Sequence, residues 1–299
     1  MFDDAQWELI SGLLPSNAGR RGHPFGDDRR VVEGIIYRYR TGIPWRDLPR
    51  SEFGPWQTVW KRHRRYAGDG TWDRVLRTLL ATADAEDRLD WTVSVDATIN
   101  RAHQHATNTT RPDQDTGGWV ELHESATTPV CEPAGHGIGR SRGGLTTKIH
   151  TAVDGNGRPL AVIVTGGQRN DQAMLAGVLD EIVVPRRGVS RVRPDAVIAD
   201  RAYSSGVARR LLRSRKITAV IPQKSDEIAA RQRRGSAGGR PPAFDEIRYK
   251  QRNLIERSFA LLKQWRGLAT RYDKLAIVYR AAVVLSACIT WTRHLGDMP

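Results

Sequence analysis

The chain has 299 residues, of which 39% are apolar, and a formal net charge of +14 at pH 7. This length allows a full hydrophobic core and a small accessory domain, and the apolar share is typical of soluble globular proteins. The opening segment MFDDAQWELI carries acid where a secretory signal carries base, and no run approaches the roughly 18 uncharged apolar residues of a membrane span. We therefore expect neither export nor membrane insertion.

The positive charge comes mostly from arginine. An arginine-rich composition can reflect a GC-rich genome, or it can serve a polyanionic partner, of which nucleic acid is the first candidate. The two cysteines, Cys131 and Cys288, lack the C-x-x-C spacing of a zinc or redox site. They also argue against a disulfide framework, so we expect a reducing, cytoplasmic location, with Cys288 inside an apolar core helix.

Residues 1–88 are predicted to form a helical DNA-binding domain. Acidic residues open the first helical pattern, which stops at Pro15, and the second pattern stops at Gly42. A turn rich in Pro and Gly then leads into PWQTVWKRHRRYAGDG, in which Pro55 is expected near the first helical turn. Two helices joined in this way, the second one basic, outline a helix-turn-helix module, although a solvated basic face has the same pattern. The expected DNA contacts of this region are Arg46, Lys61, Arg62, Arg64 and Arg65.

Residues 89–299 are predicted to form a mixed sheet with helices on its faces. The strand-like run WTVSVDAT is expected to end on Asp96, and DAVIAD ends on Asp200. Between them, LTTKIHTAVD and RPLAVIVTGG are joined by DGNG, which is a strong hairpin signal. Helical patterns alternate with the later strands, and this order indicates an α/β fold.

Two long loops are expected, at about 107–144 and 223–246, because both regions are rich in Gly and Pro and lack a sustained period. The first loop ends in GRSRGG, where Arg140 and Arg142 are suited to phosphate contact.

Four further polar residues have less specific patterns. His103 and His105 alternate after Asp96 and are expected to be structural, with assistance to a metal site or to DNA as the alternative. Asn170 and Asp171 are expected to cap the helix that follows them, with a secondary role near the site as the alternative.

The segment YKQRNLIERSFALLK is predicted to be one uninterrupted helix. At about 100° per residue, Tyr249, Arg252, Glu256 and Lys263 fall within an arc of roughly 60°, beside a separate apolar face. A solvated face without a task gives the same pattern, so this ridge alone does not decide the function.

Asp96, Asp200 and Glu256 are predicted to converge. Side chains at the carboxyl ends of neighbouring strands meet at one edge of an α/β sheet, and the helix of Glu256 must pack on that sheet. Three carboxylates within ~4 Å would repel by about 4 kcal/mol per pair at an effective dielectric near 20, so they take up protons or bind a hard divalent cation. In a chain this basic, the second outcome indicates phosphodiester chemistry with two Mg²⁺ ions.

The chain resembles bacterial insertion-sequence transposases of the DDE type over nearly its whole length. It is most similar to the insertion sequence family 5 branch of the insertion-sequence-4-like superfamily. The stretches that carry the resemblance are SVDATINRAHQHA, GRSRGGLTTKIH, GQRNDQAML, ADRAYSS, GRPPAF, YKQRNLIERSF and LKQWRGLATRYDKL. The N-terminal RYRTGIPWRDLPRSEFGPWQTVWKRHRRY is similar to the helical DNA-binding region of that branch, and the spacing Y-x2-R-x3-E-x6-K is complete.

The resemblance implies a ribonuclease H-like fold for the catalytic domain at residues 89–299. It implies that Asp96, Asp200 and Glu256 are the catalytic, metal-binding triad, with Mg²⁺ as cofactor and Mn²⁺ as a possible substitute. Tyr249, Arg252 and Lys263 are implied to hold transposon-end DNA. The double-stranded ends and the target DNA are the implied partners, bound by a homodimer or a larger assembly near the nucleoid.

The expected function is therefore binding of terminal inverted repeats, followed by Mg²⁺-dependent DNA cleavage and strand transfer. The alternative is a transposase-derived regulator that binds DNA without catalysis, which the complete triad and spacing disfavour. A nuclease that cannot join strands is a third interpretation.

Overall fold

The computed structural model describes residues 2–16, 25–108 and 132–296. Helices occupy most of the described chain before the first strand. They are α1 (Asp4–Ser11), α2 (Asp28–Thr41), α3 (Arg50–Phe53), α4 (Trp56–Gly68) and α5 (Thr71–Ala85).

Local sequence explains where these helices begin and end. Asp27 caps α2 by accepting a hydrogen bond from the Arg30 backbone N–H, and Gly42 ends it in the left-handed region at φ 74°. The predicted stop at Gly42 is therefore confirmed. The first helix ends earlier than expected, at Ser11, because its last turn closes at Gly12 before Pro15 is reached.

The strands form a mixed seven-stranded sheet within the described residues. They are β1 (Thr92–Ala102), β2 (Gly139–Ser141), β3 (Gly144–Val153), β4 (Pro159–Gly166), β5 (Ala196–Ile198), β6 (Thr218–Val220) and β7 (Thr270–Arg271). Strands β4, β3 and β1 are antiparallel neighbours, whereas β1, β5 and β6 are parallel neighbours. The short β2 pairs with the beginning of β3, on the same side of β3 as β4. The two-residue β7 pairs with the end of β1.

Helices flank this sheet and complete the fold. They are α6 (Gln104–Thr107), α7 (Leu175–Asp180), α8 (Gly206–Ser214), α9 (Ser225–Arg233), α10 (Glu246–Tyr249), α11 (Asn253–Lys263), α12 (Arg266–Ala269) and α13 (Ala276–Gly296). The expected α/β class, with a mixed sheet flanked by helices and an N-terminal helical region, is confirmed, whereas the ribonuclease H-like assignment stays a prediction.

The predicted loops need one correction. The region 223–246 contains the nine-residue helix α9, whose first turn is acidic and whose last turn is basic, as the helix dipole favours. Of the region 107–144, residues 109–131 lie outside the described residues, as does Cys131, and the remainder contributes a 3₁₀ turn and β2.

One hydrophobic core crosses the predicted boundary at residue 88. Buried side chains from α2, α4 and α5 belong to the same cluster as those of β4 and α13. A polar network joins the two parts as well: Tyr39 Oη lies 3.0 Å from His63 Nε2, which is 3.2 Å from the Val278 carbonyl oxygen. Burial lowers the pKa of His63 to about 4, so this ring is neutral at pH 7. The helical region is thus packed on α12 and α13, of which α13 in turn packs on β4, and the two-domain division stays a prediction.

Among the described residues, α13 is long and apolar enough to span a membrane by length and composition, which the sequence reading did not anticipate. In this fold, 83% of the most apolar 18-residue stretch of α13 is buried inside the protein. There the helix packs against α5, α4 and β4. Cys288 is fully buried on this helix, as expected, and burial raises the pKa of its thiol.

Candidate active site

The register of two parallel strands places Asp96 beside Asp200. Strand β1 pairs Ser94 with Ile198 of β5. Asp96 and Asp200 each lie two residues beyond this pair. Because side chains alternate with a period of two, both point to the same face of the sheet as Ser94 and Ile198, and neighbouring strands lie ~4.8 Å apart. The strand β5 ends at Ile198, two residues before Asp200, which still has an extended backbone at φ −76° and ψ −179°. The two carboxylates therefore belong to one site.

Asp96 lies in the middle of its strand, so the expectation that the strand ends there is wrong. Strand β1 continues to Ala102 because its antiparallel partner β3 is long and pairs with it from Ser94 to Arg101. Only the parallel partner β5 stops at this level. Asp96 thus lies just beyond the point where the pairing of β1 with β5 ends.

Helix α11 brings Glu256 to the same place. The helix packs against β1 and β3, with Ile255 fully buried beneath it. The adjacent Glu256 side chain is 58% exposed, whereas that of Asp96 is 16% exposed. The site is therefore an open one at the surface of the sheet.

Arg252 connects two of the three carboxylates. Its Nη1 donates to Glu256 Oε1 at 2.7 Å and its Nη2 donates to Asp96 Oδ2 at 2.8 Å. Because the two bonds go to different elements, this guanidinium ties the start of α11 to the centre of β1. The arginine is a charge-assisted bridge inside the candidate site.

The charges of this cluster shift the pKa of its members. Burial raises the pKa of Asp96, and the negative charge of Asp200 adds to this, while the Ala97 backbone N–H and Arg252 oppose it. Burial disfavours the charged form of Arg252, but Asp96, Glu256 and Asp200 outweigh it and raise its pKa. Arg252 therefore keeps its charge beside Asp96 and Glu256.

Tyr203 is a neighbour of the site that sequence reasoning did not single out. It is buried in the 3₁₀ turn after Asp200, and burial together with the charges of Asp96, Asp171 and Asp200 raises its pKa well above the ordinary value. The phenol therefore stays protonated as a potential donor. The signal was present in the stretch ADRAYSS, where only the aspartate was interpreted.

The predicted uninterrupted helix is broken at Arg252. Helix α10 ends at Tyr249, a 3₁₀ turn covers Lys250–Arg252, and α11 follows. A 3₁₀ turn advances by about 120° per residue, so Tyr249 is rotated relative to α11, but its hydroxyl stays close enough to Arg252 to raise the pKa of that guanidinium. It packs against the apolar cluster of β5 and β6, and its ring centroid lies 5.2 Å from that of Phe244.

Lys263 lies at the far end of α11. Its Nζ donates to the Ile99 carbonyl oxygen at 3.4 Å, which places it three residues beyond Asp96 along β1. Of the four residues expected to form a ridge, Arg252 and Glu256 meet at the carboxylates, Lys263 lies farther along the strand, and Tyr249 is turned toward the sheet.

The donor set fits a hard divalent cation in its chemistry. Carboxylate oxygens are the ligands that Mg²⁺ prefers, and Asp200 keeps one carboxylate oxygen beyond the one that accepts from the Ala202 N–H at 2.8 Å. In residues 2–16, 25–108 and 132–296, however, no group of three or more His, Cys, Asp or Glu is arranged to hold a metal ion. Asp96 and Glu256 are instead each paired with the guanidinium of Arg252.

Arg62 does not lie where the expected DNA contact requires. Its guanidinium is buried, pairs with Asp28 of α2 and lies 3.6 Å over the ring of Phe25. Because α4 turns this side chain toward α2, Arg62 joins helices within the N-terminal region and does not form part of an exposed basic face.

The other expected contacts of the helical region are at or near the surface. Lys61 and Arg65 are exposed on α4, and Arg64 is half-buried with its guanidinium 5.4 Å from the ring centroid of Trp60. Arg46 is exposed in the turn before α3. Arg140 and Arg142 are also exposed, at the tight turn between β2 and β3.

His103 and His105 form an aromatic stack at the end of β1. Their ring centroids are 4.7 Å apart, and His103 also lies 4.8 Å from the ring of Tyr272. His103 Nδ1 also accepts a hydrogen bond from the His105 backbone N–H at 3.3 Å, and these local contacts agree with the structural role expected for this pair.

Asp171 has a different partner from the one expected. Asn170 accepts from the Ala173 N–H at 3.3 Å, as a cap does, but Asp171 makes no side-chain cap bond. It binds Lys148 Nζ at 2.8 Å and lies 3.8 Å from His150, whose pKa burial lowers to about 4. The acid is thus held against β3, close enough to Tyr203 to affect its pKa.

Comparison with known families accounts for nearly the whole chain. Residues 2–76 match a family model described as a putative transposase of the IS4/5 family. Residues 87–291 match a family model described as a transposase DDE domain. The second match includes Asp96, Asp200 and Glu256.

Relatives are similar over parts of the chain. A putative transposase for insertion sequence element IS402 of Burkholderia cepacia is 36% identical over 145 residues, which are 48% of this chain and 61% of that protein. A putative transposase for insertion sequence element IS6501 of Brucella ovis is 31% identical over 150 residues, which are 50% of this chain and 100% of that protein.

Among solved structures, a pre-cleavage Mos1 transpososome is 12% identical to this chain, with a TM-score of 0.26. The match includes 95% of this chain and 84% of the Mos1 chain. A superposition this weak supports no comparison of sites.

Proposed function

Because the chain belongs to the DDE transposases of insertion sequences, we propose that it binds the terminal inverted repeats of its element, cleaves the DNA there and transfers the freed strand into target DNA. The reaction class is metal-dependent hydrolysis and transesterification of phosphodiesters.

The observation that supports this proposal is the bridge from Arg252 to Asp96 and Glu256, with Asp200 close enough for its charge to raise the pKa of that guanidinium. Asp96 comes from the centre of β1, Asp200 from the end of β5 and Glu256 from α11. Carboxylates that three separate elements bring into one neighbourhood are suited to hold divalent ions.

Asp96, Asp200 and Glu256 would hold the Mg²⁺ ions, which supply activation of the attacking oxygen and charge stabilisation at the scissile phosphate. Exposed cations around the site neutralise the remaining phosphate charges and fix the register of the duplex. Lys263 is one such residue, at the C-terminal end of α11 beside Ile99 of β1. Arg140 and Arg142 are others, at the turn before β3.

The N-terminal helical region would provide sequence-independent affinity through α4. Lys61 and Arg65 are exposed there, and half-buried Arg64 borders them. Because two ends must be joined in one complex, we propose a homodimer or larger assembly on the DNA.

The test uses the short inverted repeats that are expected to bracket the gene as substrate. Purified protein with Mg²⁺ or Mn²⁺ is expected to nick these ends and to form joined products. Cleavage without joining would indicate a nuclease, and tight binding without either product would favour the non-catalytic regulator.

Replacing both Lys61 and Arg65 with Ala is expected to weaken DNA binding about tenfold near physiological salt and to reduce the slope of log Kd against log salt by about 2. Each lost phosphate contact removes about one released counterion. Fluorescence anisotropy with a labelled duplex across a range of KCl concentrations measures both quantities.

Arg62→Ala is the matched control, because it removes an adjacent but buried charge. It is expected to lower stability and leave the salt slope unchanged. A wild-type slope in the double variant would show that α4 does not contact phosphates.

A further inference from the structure

We propose that Arg252 is a removable counter-ion: in the free protein it takes the position of a divalent cation between Asp96 and Glu256, and DNA phosphates draw it away. This inference rests on the proposed function and describes how that same site is regulated. Its consequence is that DNA and divalent cations bind more tightly together than apart.

The geometry assigns Arg252 this position. Both terminal nitrogens are used, one on Glu256 at 2.7 Å and one on Asp96 at 2.8 Å. The oxygens engaged are ones that a cation would need.

The bridge has features that make it exchangeable. Arg252 Nε is buried without an acceptor among the described residues, and an unmade hydrogen bond on a buried donor is unfavourable. The bond to Glu256 lies in solvent, since the Glu256 side chain is more than half exposed, and water screens such a pair. Arg252 is therefore held by one partly buried bond and one weak bond.

The backbone around Arg252 allows it to move. The residue closes the 3₁₀ turn Lys250–Arg252 between α10 and α11. A short 3₁₀ stretch has poorer hydrogen-bond geometry than an α-helix and often marks a hinge. The side chain can thus turn from the carboxylates toward a ligand above the sheet without disturbing the packing of Ile255 beneath α11.

Phosphate is the ligand that competes for this side chain. A guanidinium fork binds phosphate in the same two-pronged manner as carboxylate, and it cannot serve both at once. When DNA takes Arg252, the carboxylates lose their cation and gain affinity for a divalent ion. By linkage, a bound divalent ion raises the affinity for DNA by the same factor. The protein then holds its metal weakly until DNA is bound, which restricts cleavage to bound DNA.

The test measures Mn²⁺ binding by electron paramagnetic resonance, first without DNA. Arg252→Ala is expected to bind Mn²⁺ about tenfold more tightly than the wild-type protein, because a competing cation has been removed. Arg252→Lys keeps the charge but lacks the fork, so its affinity is expected to lie between the two. Arg257→Ala is the control, since Arg257 is exposed on the same helix and has no ion pair within the described residues; it is expected to match the wild type.

The second arm adds a duplex oligonucleotide of random sequence, with the Mn²⁺ bound by DNA alone subtracted. DNA is expected to raise the Mn²⁺ affinity of the wild type about tenfold and to leave that of Arg252→Ala unchanged. Equal affinities of wild type and Arg252→Ala without DNA, or an equal rise in both with DNA, would overturn the proposal.

Cleavage assays separate this inference from the proposed function. If the wild type cleaves end-containing DNA while Arg252→Ala binds Mn²⁺ no tighter, only the counter-ion role of Arg252 fails. If the wild type neither cleaves DNA nor loses Mn²⁺ affinity on replacement of Asp200 with Asn, the metal site itself fails.

Discussion

Replacing Glu256 with Gln is expected to reduce cleavage and joining of end-containing DNA by about a thousandfold or more. The amide has nearly the same shape but lacks the charge needed to hold a divalent cation, and such a cation contributes several kcal/mol of transition-state stabilisation. DNA binding is expected to stay within a few-fold of the wild type, because Glu256 carries a negative charge that does not attract phosphate. Rates from denaturing gels and affinities from anisotropy measure the two effects separately.

Glu246→Gln is the matched control for this substitution. Glu246 is exposed at the start of α10, seven residues before α11 begins, and it has the same charge. Its variant is expected to cleave DNA at the wild-type rate. A Glu256→Gln protein that retains a tenth or more of the wild-type rate would contradict the role assigned to Glu256.

Replacing Asp273 with Asn is expected to lower the free energy of unfolding by about 3–5 kcal/mol. Asp273 pairs with Arg38 of α2 at 3.3 Å, and the two side chains are only 6% and 4% exposed. The substitution leaves the guanidinium charge of Arg38 buried without its counter-ion. Because Arg38 belongs to the helical region and Asp273 follows the last strand, the loss is expected to weaken the packing of the helical region on α12 and α13.

Denaturant unfolding followed by tryptophan fluorescence and circular dichroism measures this effect. The control is Asp180→Asn, which breaks the surface pair with Arg215 at 2.7 Å, where the side chains are 63% and 31% exposed; a loss of at most about 1 kcal/mol is expected. Equal losses in the two variants would contradict the importance of the buried pair. Two separate transitions in the wild type would contradict a core shared by both regions.

Much of the fold follows from local patterns in the sequence. The stop at Gly42 and the hairpin at DGNG each depend on a few adjacent residues, and both are found. The length of β1 could not be predicted in this way. It depends on β3, a partner about 50 residues away, and this is why Asp96 was expected at the end of its strand.

The same limit applies to the charged residues. Sequence identifies Lys61, Arg62 and Arg65 as equal members of a basic helix, but only the packing of α4 on α2 shows that Arg62 is turned inward toward Asp28. The bridge made by Arg252 is similar. Helical spacing predicts that Arg252 and Glu256 are neighbours, whereas the bond to Asp96 depends on how α11 lies across the sheet.

The convergence of Asp96, Asp200 and Glu256 is the central claim. It was predicted from strand ends and from the resemblance, and the register of β1 and β5 now supplies a physical reason for two of the three residues. The third depends on α11, which packs on the same two strands, β1 and β3, that hold Asp96 in place.

The most direct measurement is an anomalous difference map from crystals of the protein bound to duplex DNA in Mn²⁺. We expect manganese peaks at about 2.0–2.3 Å from carboxylate oxygens of Asp96, Asp200 and Glu256, with the Arg252 guanidinium moved onto a phosphate. A map from well-occupied DNA complexes with no peak at these carboxylates, and with Arg252 still bridging Asp96 and Glu256, would contradict the claim.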